Sequence, residues 1–130
     1  MVSISKPHIL VVDDNTTIRN LVSTILGAHG MEVAAVTDGD EALDYIQTRR
    51  PDVMLLDLSM PRVDGLEVLR QVRAHPTLHD LRVVMLTAVA NTPRFQELHA
   101  YRPDGYLEKP FHINDLIDQV RRALTRQTQS

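Results

Sequence analysis

Four consecutive apolar residues, Val53-Met54-Leu55-Leu56, run straight into the carboxylate of Asp57, and the chain then turns through Pro61 and Gly65. A continuous apolar run of this length, with Pro51 before it and that turn after it, reads as a strand buried on both faces. Strands covered on both faces belong to parallel sheets wrapped by helices. Asp57 would then close a central strand at its carboxyl end, the edge of an open α/β sheet where ligands bind.

The rest of the chain repeats the pattern. His8-Ile9-Leu10-Val11-Val12 is a first buried strand, ended by Asp13-Asp14. Ile18, Leu21, Val22, Ile25 and Leu26 follow at helical spacing, with Asp14 or Asn15 as cap and Gly30 as stop. Val33 to Val36 is a short strand, and Asp40 to Arg50 a helix turning Ala42, Leu43 and Ile46 inward. The strand ending at Asp57 is third, and Leu66 to Ala74 a third helix. Val83-Val84-Met85-Leu86-Thr87 is the fourth strand. Pro93 suits the first turn of a short fourth helix, capped by Asn91 or Thr92 and ended before Pro103. Gly105-Tyr106-Leu107-Glu108-Lys109 is the fifth strand. Ile113, Leu116, Ile117, Val120 and Leu124 mark a final helix, and Thr125 to Ser130 reads as a frayed tail.

Five strands alternating with five helices predict a doubly wound parallel sheet, and strand order 2-1-3-4-5 (flavodoxin-like) suits a chain of this size. The length, 130 residues, fits one domain, with a core over about residues 6–126. In that order the first and third strands are neighbours, so Asp13, Asp14 and Asp57 converge on one crevice. Thr87 and Lys109 reach the same edge from the fourth and fifth strands. Polar residues resume wherever a strand stops, which explains one or two of these positions. It explains three acids, a hydroxyl and a lysine on four strand ends less easily.

Two carboxylates ~5 Å apart repel by on the order of 3 kcal/mol at an effective dielectric of ~20. Three of them raise one another's pKa or recruit a cation. An all-oxygen site without His or Cys suits Mg²⁺ or Mn²⁺ rather than zinc. Such a cation would screen Asp57 and let an anionic phosphoryl group approach. Lys109 would supply a mobile positive charge and Thr87 a hydroxyl donor, in a reaction where the protein chiefly positions groups and neutralises charge.

Composition bounds the alternatives. The net charge of −3 gives no basic field for nucleic acid, and the absence of cysteine removes disulfide and thiol chemistry. No apolar run nears the ~20 residues of a membrane span, and Met1 to Lys6 lack the features of a secretion signal. The expectation is a cytoplasmic protein that contacts neither membrane nor nucleic acid.

From about Lys6 to Arg126 the chain resembles a response regulator receiver domain, of the chemotaxis-regulator-like kind used in two-component signalling. The residues that carry the resemblance are Val11-Val12-Asp13-Asp14-Asn15, Leu56 through Gly65, Leu86-Thr87-Ala88, and Gly105-Tyr106-Leu107-Glu108-Lys109-Pro110-Phe111. The resemblance implies that Asp57 is the phosphoacceptor. It implies that Asp14, Asp57 and the backbone carbonyl of Ser59 bind Mg²⁺ directly, with Asp13 acting mostly through a bound water. Lys109 would contact a phosphoryl oxygen. Thr87, with Ala88 beside it, would follow the phosphate, and Tyr106 would swing inward as Thr87 moves. The Lys109-Pro110 bond would be cis. Tyr106 also has a plain reading, as an edge-strand aromatic half-buried against the last helix.

On this reading the protein is a switch that assists its own phosphorylation and dephosphorylation rather than an enzyme acting on a substrate. The donor is a sensor histidine kinase or histidine phosphotransfer protein, since no histidine of the chain is placed for that role. The output goes to a downstream target or output domain, read from the surface of the fourth helix, fifth strand and last helix. Asp115, Asp118, Arg121 and Arg122 put both charge signs on the last helix, which suits a symmetric dimer, though surface helices carry such charges anyway. Neither a stand-alone receiver nor one domain of a longer chain is favoured.

Other residues take plainer readings. Asp64-Gly65 is turn chemistry. Asp38, Asp40, Glu41 and Asp44 form a solvated helix start. His75 and His79 have the spacing of a metal pair, but Pro76 breaks the helix between them. Tyr101-Arg102-Pro103 departs from the Gly-Ala step of many receivers and leaves the end of the fourth helix open. His112 stands where an oxygen-bearing cap is expected. Ser59 and Val89 occupy positions that in this family influence hydrolysis. Ser59 is small and Val89 apolar, so neither holds a water as an acid or amide would, and a moderately long-lived phosphoryl state is expected. A haloacid-dehalogenase-type phosphatase would need a second Asp two residues after its nucleophile. Asn15 and Thr16 stand there instead. A constitutive interaction module that takes no phosphate is the other alternative, and intact Asp14, Asp57, Thr87 and Lys109 argue against it.

Overall fold

The computed structural model describes residues 6–88 and 93–125. Its elements are β1 (His8–Val12), α1 (Thr16–Ala28), β2 (Glu32–Val36), α2 (Gly39–Thr48), β3 (Val53–Asp57), α3 (Gly65–Ala74), β4 (Val83–Thr87), α4 (Pro93–Glu97), β5 (Gly105–Glu108) and α5 (Ile113–Thr125). A 3₁₀ turn, Leu98–Tyr101, continues α4. The five strands form one parallel sheet in the order β2-β1-β3-β4-β5. Val89, the Asn91 or Thr92 cap and the tail beyond Thr125 lie outside the described residues.

Strand residues alternate between two cores, as a period of two requires. Leu10, Val12, Met54, Leu56, Val83 and Met85 face α2, α3 and Leu98. Ile9, Val11, Val53, Leu55, Val84 and Leu86 face α1 and α5. β1, β3 and β4 are buried along their whole length, which is why they read as unbroken apolar runs rather than alternating ones.

The helix starts follow local chemistry. Asn15, Asp38 and Asp64 cap α1, α2 and α3 by accepting the backbone N–H of Ile18, Glu41 and Glu67. Gly30 carries the chain out of α1 at φ 81°, a left-handed conformation that favours glycine. His112 offers no side-chain cap among the described contacts, but its carbonyl accepts the N–H of Leu116. Two apolar stripes are wider in the sequence than in the fold. Leu21 on α1 and Ile113 at the start of α5 are 42% and 53% exposed, because only the inner part of each stripe reaches the sheet.

The Tyr101-Arg102-Pro103 segment is held by Arg73 of α3. Its guanidinium donates to the carbonyls of Tyr101, Leu81, His79 and Arg102, at 2.8, 2.6, 3.0 and 3.0 Å, and reaches Asp104 at 3.3 Å. This side chain is buried, and burial pulls its pKa below the usual arginine range while Asp104 opposes the shift. Arg102 takes a left-handed conformation, φ 50°, at the bend.

Candidate functional site

Asp57 is the last residue of β3, and its side chain lies at the rim between β1 and β4. β1 ends one residue before Asp13, whose N–H donates to Val36 of β2 and continues the sheet. Asp13 and Asp57 are buried, whereas Asp14 is exposed at the mouth. One carboxylate oxygen from each of Asp13, Asp14 and Asp57 comes within 4.8 Å of the others.

Lys109, from the loop after β5, closes the group. Its Nζ donates to Asp13 Oδ2 at 2.6 Å and lies 3.4 Å from Asp57 Oδ2. Its backbone N–H donates to the Thr87 carbonyl at 2.7 Å, which ties the lysine to the end of β4. Thr87 is buried and Ala88 exposed. The Lys109-Pro110 bond is cis, as the resemblance implies.

Several contacts hold the carboxylates in place. Asp57 Oδ1 accepts the N–H of Ser59 at 3.2 Å, and Asp13 Oδ1 accepts that of Asn15 at 2.9 Å. Arg19, one turn into α1, donates to the Asp13 carbonyl at 2.7 Å. A Cβ at Gly65 would strike the Asp57 carbonyl and Leu58 Cα, so only glycine lets α3 start this close to the acid. Asp64 does turn chemistry and more: Oδ1 caps α3 and Oδ2 pairs with Arg94 of α4. Arg62, at φ 64°, pairs with Asp38 and joins the loop after β3 to the loop after β2.

Burial and the neighbouring Asp13 charge raise the pKa of Asp57 to about 6, with Lys109 and the Ser59 N–H pulling the other way. The acids have more negative charge than one lysine offsets, and every donor atom is oxygen. An all-oxygen set of this kind could hold a hard divalent cation through Asp13, Asp14 and Asp57.

Tyr106 lies away from this group, half-buried on β5 and paired in register with Met85. Its hydroxyl lies 3.0 Å from His99 Nδ1. The plain reading placed this ring against the last helix. It packs instead against Phe95 and His99 of the α4 segment, because β5 turns Tyr106 to the same sheet face as Met85. His75 serves its turn, with Nδ1 accepting the N–H of Thr77 and Leu78.

Arg19, Arg62, Arg73, Arg94 and His99 are the residues that the sequence reading passed over. Arg19 had one usable signal, a cation one helical turn beyond the acidic pair. The others are polar residues on helices and loops with nothing in their spacing to mark them.

The family model described as response regulator receiver domain matches residues 9–121. A response regulator from Mycolicibacterium vanbaalenii, MprA, is 44% identical over 122 residues, 93% of this chain and 52% of that protein. The chain thus spans about half the length of the curated relatives it matches. Among solved structures, the chemotaxis protein CheY4 of Vibrio cholerae is 35% identical with a TM-score of 0.86, over 92% of this chain and 100% of that one. The receiver domain of NtrX from Brucella abortus is 36% identical with a TM-score of 0.82, over 92% and 99%.

Proposed function

The chain belongs to the response regulator receiver family, a component of phosphorylation-dependent two-component signalling, and on that premise we propose that Asp57 is its phosphoacceptor. The observation that carries the reading is the convergence of the Asp13, Asp14 and Asp57 carboxylates on Lys109 at one sheet edge. The donor is a phosphohistidine on a sensor kinase or phosphotransfer protein. A carboxylate oxygen of Asp57 forms the new O–P bond as the donor's N–P bond breaks, and the electron pair leaves with the imidazole.

Asp13, Asp14, Asp57 and the Ser59 carbonyl would hold Mg²⁺, whose chemistry here is to neutralise charge on the transferring group. Lys109 leaves Asp13 and Asp57 to meet a phosphoryl oxygen. Thr87 approaches the phosphate from β4, with Ala88 beside it, and Tyr106 follows inward. The changed surface of α4, β5 and α5 is read by a downstream target or output domain. Exposed Asp115, Asp118, Arg121 and Arg122 on α5 suit a phosphorylation-enhanced symmetric dimer. No described helix is long and apolar enough to cross a membrane, and the site chemistry belongs with cytoplasmic signalling.

Intact-protein mass after incubation with Mg²⁺ and acetyl phosphate tests the proposal. One added phosphoryl group is expected on the parent, none on Asp57→Ala, and none when EDTA is present from the start. The adduct should outlast seconds after donor removal, since Ser59 presents no acid or amide to a hydrolytic water. No adduct on a folded parent would leave a constitutive interaction module in its place.

A further inference from the structure

Three rings meet on the surface beside the switch. Phe95, His99 and Tyr106 lie with centroids 5.2 Å (Phe95 to Tyr106), 5.5 Å (His99 to Tyr106) and 5.9 Å (Phe95 to His99) apart. The Tyr106 hydroxyl and His99 Nδ1 share a hydrogen bond at 3.0 Å. Nothing in the phosphoacceptor chemistry uses His99.

The histidine is held firmly from beneath. Leu98, the residue before it, is fully buried in the α2–α3 core. Arg73 donates to the carbonyls of Tyr101 and Arg102 just after it, and the Arg102 N–H returns to the His99 carbonyl at 3.3 Å. The backbone that carries His99 is therefore held in place, and Tyr106 is the ring that the proposed switch moves.

Strand parity supplies the other half. Tyr106 pairs with Met85, and Thr87 lies two residues further along the same strand. Thr87 thus shares the sheet face of Met85 and Tyr106. A tyrosine ring turned along that face towards Thr87 carries its hydroxyl away from His99 and breaks the bond.

We propose that His99 is a positioning residue that latches Tyr106 outward and so sets how readily the phosphorylated arrangement is reached. This rests on the reading of Thr87 and Tyr106 above. A contact made in only one of two arrangements shifts their balance by its own free energy. For one hydrogen bond at a half-exposed site the shift is roughly three- to tenfold.

The test is a titration of the full chain with beryllium fluoride, a phosphoryl stand-in, at saturating Mg²⁺, followed by the amide NMR signal of Thr87. His99→Ala should lower the half-saturating concentration roughly three- to tenfold. His99→Asn, whose Oδ1 falls near the place of Nδ1, should restore the parent value. In a Tyr106→Phe background, His99→Ala should have no further effect, an outcome that a merely structural role for His99 would not give.

An unchanged or raised half-saturation in His99→Ala overturns the latch, as does an effect that persists without the Tyr106 hydroxyl. If His99→Ala does not fold, Tyr106→Phe alone cuts the same bond and must shift the titration in the same direction. A parent that binds no beryllium fluoride overturns the phosphoacceptor reading itself. That result is distinct from a parent that binds with no change on substitution.

Discussion

Asp57 is held in an expensive state. Its carboxyl is pushed from 3.8 to about 6 by burial first and by the Asp13 charge second. Between those two values the folded protein binds the proton more tightly than the unfolded chain. Stability from this group is therefore fully present below about pH 3.8, falls as pH rises to about 6, and stays lost above it. Asp57→Asn removes the penalty while giving up the attraction to Lys109. It should make the protein roughly 1–2 kcal/mol more stable at pH 7.5 and no more stable near pH 4, measured by urea unfolding at both. Mg²⁺ should stabilise the parent at pH 7.5 and less at pH 5.5, where the proton competes for Asp57. The five rim residues were legible because each polar side chain interrupts or follows an apolar run. Arg73, Arg94 and His99 were not, because a helix or loop position says nothing about which carbonyl or hydroxyl the fold brings beside it.

The elements themselves were legible almost to the residue. β1, β3 and β4 match the apolar runs, since a strand covered on both faces has no freedom to mix polar residues in. The ends of helices were read less closely: α2 starts one residue earlier and stops two earlier than its pattern suggests. What set these ends is the Asp38 cap at the start and the extended backbone of Arg49 at the finish, which periodicity does not record. The start of α3 is a tight joint, where Gly65 lies against the backbone of Asp57 and donates to Leu58 at 2.9 Å. Gly65→Ala must push the two backbones apart. The expected loss is about 1–3 kcal/mol in thermal or urea unfolding, with slower acetyl phosphate labelling of Asp57 than a core substitution of equal cost.

At the scale of the molecule, odd and even strand residues serve two cores that, among the described residues, share no side chain. Ile46→Val on the α2 side and Ile117→Val on the α5 side should each cost about 1 kcal/mol, and their double mutant should equal the sum within about 0.5 kcal/mol by urea unfolding. A cost well above the sum would mean that the sheet passes strain from one side to the other. The order of the strands, and hence the crevice, was readable because alternation and length leave few windings open. The contacts that brace α4 against α3 were not, since they join residues 28 to 31 apart along the chain.

The partition has a further consequence. With its interior divided into two apolar compartments, the sheet is a bulkhead, and Asp13, Asp57 and Thr87 gather at one rim of it, where an added charge meets the edge of both. On the proposed switch it would be passed on at that rim, through Lys109 after β5 and through Thr87 and Tyr106 on the sheet face they share. The exposed faces of α4, β5 and α5 beside that rim can therefore be retuned for a new listener while the compartments behind them stay as they are.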